Sequence, residues 1–182
     1  MNRILLTTLL LVFLGIGKSN AQIAAAQRVS WNIDRVIQVP VSRDSVWTLL
    51  KDYSLVSKLS NGYVQSIVHE DNIMPILRET TFKDGTKREE LLSQLEDQNR
   101  LIVFKIKESS LPAGVSAAQI AIFTKVLDDN VCEITWRGLV KGSKEAEAKY
   151  VEVLKNEIEQ YTLGFNNYLQ GKRQSVPAVR MQ

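Results

Sequence analysis

The sequence predicts an α+β fold in which a seven-stranded, curved antiparallel sheet wraps around one long C-terminal helix, with two short helices after the first strand. Three observations carry this. Six strand-like runs follow one another between Val64 and Val140, short Asp/Asn/Gly turns separate four of the five neighbouring pairs, and an amphipathic helix from about Glu145 to Gln170 ends the order. A single helix lying across a curved sheet leaves a cavity between the two layers, so the pattern argues for a container.

The first strand is read over Trp31–Val39, where Trp31, Ile33, Arg35, Ile37 and Val39 alternate with Asn32, Asp34, Val36 and Gln38, the period of a half-buried strand. Pro40 ends it. Ser42 is placed to cap the next helix, Asp44 puts negative charge in its first turn, and Val46, Leu49 and Leu50 form its apolar stripe beside Trp47. A second short helix is expected over Tyr53–Leu59, broken by Asn61-Gly62. The remaining strands are Val64–Glu70, Ile76–Phe82, Lys87–Glu96, Leu101–Glu108, Gln119–Leu127 and Val131–Val140. Asp71-Asn72, Asp84-Gly85, Asp97-Gln98-Asn99 and Asp128-Asp129-Asn130 are the loops that antiparallel hairpins use. The long interruption Ser109–Ala118 reads as a mobile loop. In the last helix Tyr150, Leu154, Ile158, Tyr161, Phe165 and Tyr168 recur at steps of three and four, which lines up one face. Gly164 within it costs about 1 kcal/mol relative to alanine and suggests a bend.

The chain has 182 residues, 45% of them apolar, enough for one ordinary core. Arg3, the apolar run Ile4–Ile16 and Ser19-Asn20-Ala21 have the layout of a secretory leader cleaved after Ala21. As a helix, that run would span roughly 20 Å against a hydrocarbon core of roughly 30 Å, too short for a membrane anchor. The expected organisation is a signal peptide over 1–21, one domain over 22–171 and a disordered tail over 172–182, in an exported protein, periplasmic or secreted. Losing Arg3 and Lys18 lowers the formal net charge from +3 to +1, and no polybasic block remains to argue for nucleic acid or anionic membranes. Cys132 is the sole cysteine, so no internal disulfide forms.

The residues Val39-Pro-Val-Ser-Arg-Asp-Ser-Val-Trp47, Arg78, Glu90-Leu91-Leu92 and Leu111-Pro112, taken with the element order, resemble the SRPBCC (START-like) superfamily, in particular its polyketide-cyclase/dehydrase-like branch. The similarity runs from about Asn32 to Gln170 and implies the helix-grip fold. It also implies a deep, mostly apolar cavity reached past the loops near Lys83–Thr86 and Ser109–Gly114. The related plant abscisic-acid receptors anchor a ligand carboxylate with a lysine ahead of the second strand. Asn61 occupies the matching region here, and Lys83-Asp84-Gly85-Thr86 replaces the proline-containing gate, so a hormone-receptor mechanism is not supported.

Arg78 and Glu90 are the polar pair to watch, because their strands are neighbours in a meander. Alternation leaves their facing open: Glu90, Leu92 and Gln94 share one face of their strand, Leu91 and Leu95 the other. Inward, Glu90 would orient a ligand; outward, it is one half of a surface ion pair worth about 0–1 kcal/mol. Leu92, Phe104, Ile120, Ile122, Trp136, Leu154, Ile158 and Tyr161 are the candidate apolar walls. One histidine, His69, and one distant cysteine do not make a metal site, which needs three or four ligands. No phosphate-binding glycine loop is present, and Ser109-Ser110 has no obvious base, so no cofactor or catalytic residue is assigned. The leading expectation is an exported binder of a small hydrophobic molecule. The alternatives are a cyclase or dehydratase using Arg78 and Glu90, and a protein-interaction module with a filled cavity.

Overall fold

The strands after the two short helices run as one meander, and the N-terminal strand closes onto its far edge. The computed structural model describes residues 29–69 and 73–174, with side chains as far as residue 171; the expected leader and most of the expected tail lie outside them. The order is β1 (Ile33–Val39), α1 (Arg43–Lys51), α2 (Val56–Leu59), β2 (Val64–His69), β3 (Ile76–Phe82), β4 (Lys87–Glu96), β5 (Leu101–Ile106), β6 (Val115–Asp128), β7 (Val131–Gly142) and α3 (Lys144–Gln174). The strands lie in the order β1-β7-β6-β5-β4-β3-β2, antiparallel at every pairing. Register shifts at Val64/Ser66, Leu92/Gln94, Val115/Ala117 and Val126/Asp128 add the local bend and twist that curve the sheet.

Inward residues of the sheet meet one stripe of α3. Leu92, Ile120, Ile134 and Trp136 are buried against Leu154, Ile158 and Phe165, and the Trp136 and Phe165 rings meet edge to face with centroids 5.7 Å apart. At the opposite end from the loops that precede α3, the Ser42 hydroxyl accepts from the Ser45 amide and caps α1 as expected. Trp47 of α1 is fixed by a 2.6 Å hydrogen bond from its Nε1 to Asp97 in the β4–β5 turn.

Gly164 is explained by close approach. A Cβ there would lie 2.3 Å from the Leu59 carbonyl oxygen and 2.4 Å from the Asn61 amide nitrogen, so only glycine lets α3 rest on the backbone that leaves α2. Asn61 and Gly62 take positive φ in that turn, as their chemistry predicts.

Several boundaries differ from expectation. The Tyr53–Leu59 helix is a 3-10 turn over Tyr53–Leu55 followed by the single turn of α2, because the Asp52 side chain accepts from the Ser54 amide and starts a separate cap. β5 stops at Ile106, and β6 starts at Val115, four residues before the expected Gln119. The expected mobile loop is thereby shortened and tied at both ends: Glu89 N–H donates to the Ser110 hydroxyl at 2.9 Å and Ser143 N–H to the Gly114 carbonyl at 2.8 Å. α3 runs four residues past Gln170, to Gln174.

Candidate functional site

Arg78 and Thr80 lie on the inward face of β3, and Arg88, Glu90 and Leu92 share that face on β4. The register sets Arg78 opposite Glu90 and Thr80 opposite Arg88. The open question of facing is thus resolved: both members of the pair point in. From α3, Glu157 completes the group, since it falls on the buried stripe between Leu154 and Tyr161. All four charged residues are buried, with exposures of 4% for Arg78, 6% for Arg88, 0% for Glu90 and 2% for Glu157.

Glu90 is the hub. Its Oε2 accepts from Arg78 Nε at 2.6 Å and Thr80 Oγ1 at 3.2 Å and pairs with Arg78 Nη2 at 2.5 Å. Its Oε1 accepts from Arg88 Nε at 2.7 Å and also pairs with Arg88 Nη2. Arg88 then forks onto Glu157, Nη1 to Oε2 and Nη2 to Oε1, each at 2.7 Å. Two guanidinium groups and two carboxylates make the network neutral, which is how charge survives burial. The Arg78 guanidinium also lies 3.8 Å from the Phe104 ring centroid and 5.5 Å from that of Tyr53, a cation–π arrangement.

Burial would push the Glu90 carboxyl up, but Arg78 and Arg88 outweigh it and hold it at about 2. Burial likewise pulls against the Arg88 charge, and Glu157 and Glu90 overcome it. Burial pushes the Tyr161 and Tyr150 phenols up, so both stay neutral donors. Glu90 is therefore an ionised carboxylate with both oxygens engaged, ill suited to take up a proton near neutral pH.

The space around this network is divided. At the loop end, a cleft of about 820 Å³ runs along Ser109–Ala113 and the first two turns of α3, and one of about 650 Å³ runs along Tyr63 and the β3–β4 turn. Both are lined by Lys87, Ser110, Tyr150 and Val153. Under α3 there is an inner pocket of only about 40 Å³, a space the size of about three water molecules. Arg88 lines the 650 Å³ cleft and Arg78 the inner pocket, so the Glu90 hub stands between them.

Of the ten sequence candidates, Arg78, Phe104, Ile122 and Tyr161 line the inner pocket. Glu90 lies behind Arg78, while Leu92, Ile120, Trp136 and Leu154 are core residues that line none of these spaces. Ile158 is in the core and borders a different groove, between β1 and α3. Arg88 and Glu157 were missed, although each left a signal: Arg88 is two residues before Glu90 on the same strand face, and Glu157 is an acid on an apolar stripe. Among the described residues no group of three or more His, Cys, Asp or Glu could hold a metal ion. His69 is exposed, with its ring against Tyr53, and Cys132 is buried.

No family model matches the chain, and no curated protein does. Solved structures do match. Norcoclaurine synthase from Thalictrum flavum, in complex with dopamine and hydroxybenzaldehyde, is 17% identical with a TM-score of 0.63, over 76% of this chain and 86% of that one. The protein has the helix-grip fold. A Thermobifida fusca protein solved by NMR gives 17% identity and a TM-score of 0.62, over 75% of this chain and 91% of its own. XoxI from Bacillus cereus gives 19% and 0.58, over 75% and 96%. Identities this low carry the helix-grip fold alone.

Proposed function

We propose that this helix-grip protein binds a small, largely apolar molecule, lipid-like or aromatic, at the open end of its sheet against the first half of α3. The observation that carries the reading is the contrast in size. The clefts of about 820 and 650 Å³ fall within the range of about 300–1,000 Å³ typical of small-molecule sites, and the inner pocket of about 40 Å³ does not. Their walls combine the apolar surfaces of Tyr63, Phe82, Leu111, Pro112, Tyr150 and Val153 with charged and hydroxyl groups at the rims, among them Lys83, Lys87, Ser109, Ser110 and Lys149. A structural neighbour holds dopamine and hydroxybenzaldehyde, in keeping with such a ligand.

A cyclase or dehydratase reading is less well supported, because Glu90, the carboxylate paired with Arg78, has both oxygens engaged. An interaction module is the second reading, favoured by the nearly filled interior. Export belongs to the same proposal and rests on the leader-like residues 1–21; intact mass of the exported chain should begin at Gln22.

Native mass spectrometry of the purified protein tests the binding reading. A co-purifying small molecule, or saturable uptake of an environment-sensitive apolar dye, is expected. A bare mass together with no saturable dye binding would favour the interaction module.

A further inference from the structure

The two edges of the sheet are not alike. β2 is bulged between Val64 and Ser66, and the Ser60 hydroxyl accepts from the Val64 N–H at 3.0 Å and donates to the Val64 carbonyl at 3.2 Å. The start of that edge is therefore bent, with its hydrogen bonds already made. β1 has neither device. Its register with β7 runs unbroken from Ile33 opposite Gly138 to Val39 opposite Cys132, and among the described residues no strand takes its other side. Such an edge offers a row of unpaired N–H and C=O groups, which proteins commonly blunt with a bulge, a proline or a lysine; β1 contains none of these. Its two charges are matched within the chain, Asp34 by Arg137 at 3.0 Å and Arg35 by Glu159 at 3.2 Å. Val36, the next residue, is 46% exposed. Beside the edge, a groove of about 370 Å³ runs between β1 and α3, with Ile33, Val151 and Ile158 as its apolar members.

We propose that the free edge of β1 is a self-association surface, on which a second copy of this chain lays its own β1, antiparallel and centred on Val36. In a two-fold pair the same patch serves both copies, and residues opposite one another on a shared face interact. Centring on Val36 overlaps all seven residues of β1. Ile33 then faces Val39 of the second copy, Asp34 faces Gln38, Arg35 faces Ile37, and the two exposed valines meet. Centring on Asp34 or Arg35 instead sets identical charges face to face, which is destabilising. Charge also decides the kind of partner. With Asp34 and Arg35 already paired, the edge has no field that draws a basic or an acidic peptide, whereas a second copy brings the same balanced strand. Its half-buried Ile37 comes opposite Arg35, at the end of the groove lined by Ile33 and Ile158. Main-chain hydrogen bonds supply the affinity of such strand addition, and these side-chain contacts set its register.

Sedimentation velocity of the full-length chain, with no ligand added, should show a dimer whose share rises with concentration. Val36→Lys sets two ammonium groups against each other at the centre of the pair and should weaken the dimer at least tenfold while the urea midpoint holds. Cysteine substitutions read the register, because a disulfide needs Cα atoms within about 7 Å. Under mild oxidation Val36→Cys should trap a covalent dimer. Gln38→Cys alone should not, since its two copies lie roughly 13 Å apart along the strands, but a mixture of Asp34→Cys and Gln38→Cys chains should trap the mixed dimer. Cys132 is buried and does not compete. A monomer at every concentration overturns the proposal and leaves the edge to a different strand. A dimer that Val36→Lys leaves intact also overturns it, by placing the contact elsewhere, as does any other disulfide pattern. Where Val36→Lys does not fold, the cysteine series decides alone.

Discussion

Arg88 and Glu157 meet in a two-point fork, Nη1 to Oε2 and Nη2 to Oε1 at 2.7 Å each, that fastens the middle of α3 to β4. Both are buried, so neither partner is tolerated alone. Removing one partner of a buried pair costs about 3–5 kcal/mol. Glu157→Ala and Arg88→Ala should each lose that much in urea melts. The double variant should lose less than their sum, by a coupling of about 0.5–3 kcal/mol. Strict additivity would mean that the fork does not hold the helix.

Acid should weaken the fold through Glu90. Its carboxyl is held at about 2, below the ordinary 4.5, so its contribution to stability is full above about pH 4.5 and is lost as the pH falls toward 2. At about 1.4 kcal/mol per pKa unit the loss is about 3 kcal/mol. Asp84, Glu89 and Asp97 are also held low by hydrogen bonds, but they lie in exposed settings, so comparison with Glu90→Gln isolates the buried carboxylate. The variant's stability should fall less steeply between pH 5 and pH 2.5. Equal slopes in the two proteins would show that Glu90 does not carry the effect.

Gly164→Ala pits two effects against each other. Alanine favours the helix by about 1 kcal/mol, but its Cβ would sit 2.3 Å from the Leu59 carbonyl oxygen, which is backbone and cannot swing aside. Overpacking typically costs about 1–3 kcal/mol. The clash should win, and the urea midpoint should fall. A stabilised Gly164→Ala would mean that α3 and the α2–β2 turn separate easily.

The fold was legible because each of its elements has a local signature. Trp31–Val39 alternates, Asp84-Gly85 turns, and Tyr150 to Tyr168 form one stripe. Contacts between distant segments left no such mark. Gly164 looked like a weak point in a helix because the backbone it accommodates comes from Leu59 and Asn61, about a hundred residues earlier. The Ser109–Ala118 stretch looked mobile because its ties come from Glu89 and Ser143. Arg78 and Glu90 could be paired from strand adjacency, but their facing depends on Arg88 and Glu157. Each of those two left only a local signal, a shared strand face for Arg88 and an acid on an apolar stripe for Glu157, and neither signal names its partner before β4 and α3 come together. The wall residues were chosen by apolarity, which marks the core as readily as a cleft: Phe104, Ile122 and Tyr161 line the inner pocket, and the others are packed in the core. Ile120 is 2% exposed, whereas Val153, which lines both outer clefts, is 46% exposed.

That contrast decides which substitution tests the outer clefts. Ile120→Trp would force a large ring into a packed core and unfold the protein before it could report on binding. Val153→Trp adds the same ring at a surface position, where substitutions usually change stability by less than about 0.5 kcal/mol, and it occupies the wall common to both clefts. The urea midpoint should therefore hold while affinity for an apolar dye falls at least tenfold. Loss of binding together with loss of stability would leave folding and occupancy entangled, so Lys149→Trp, on the exposed rim of the larger cleft, serves as the second variant. Full dye affinity in both folded variants would mean that the ligand does not sit against the first half of α3.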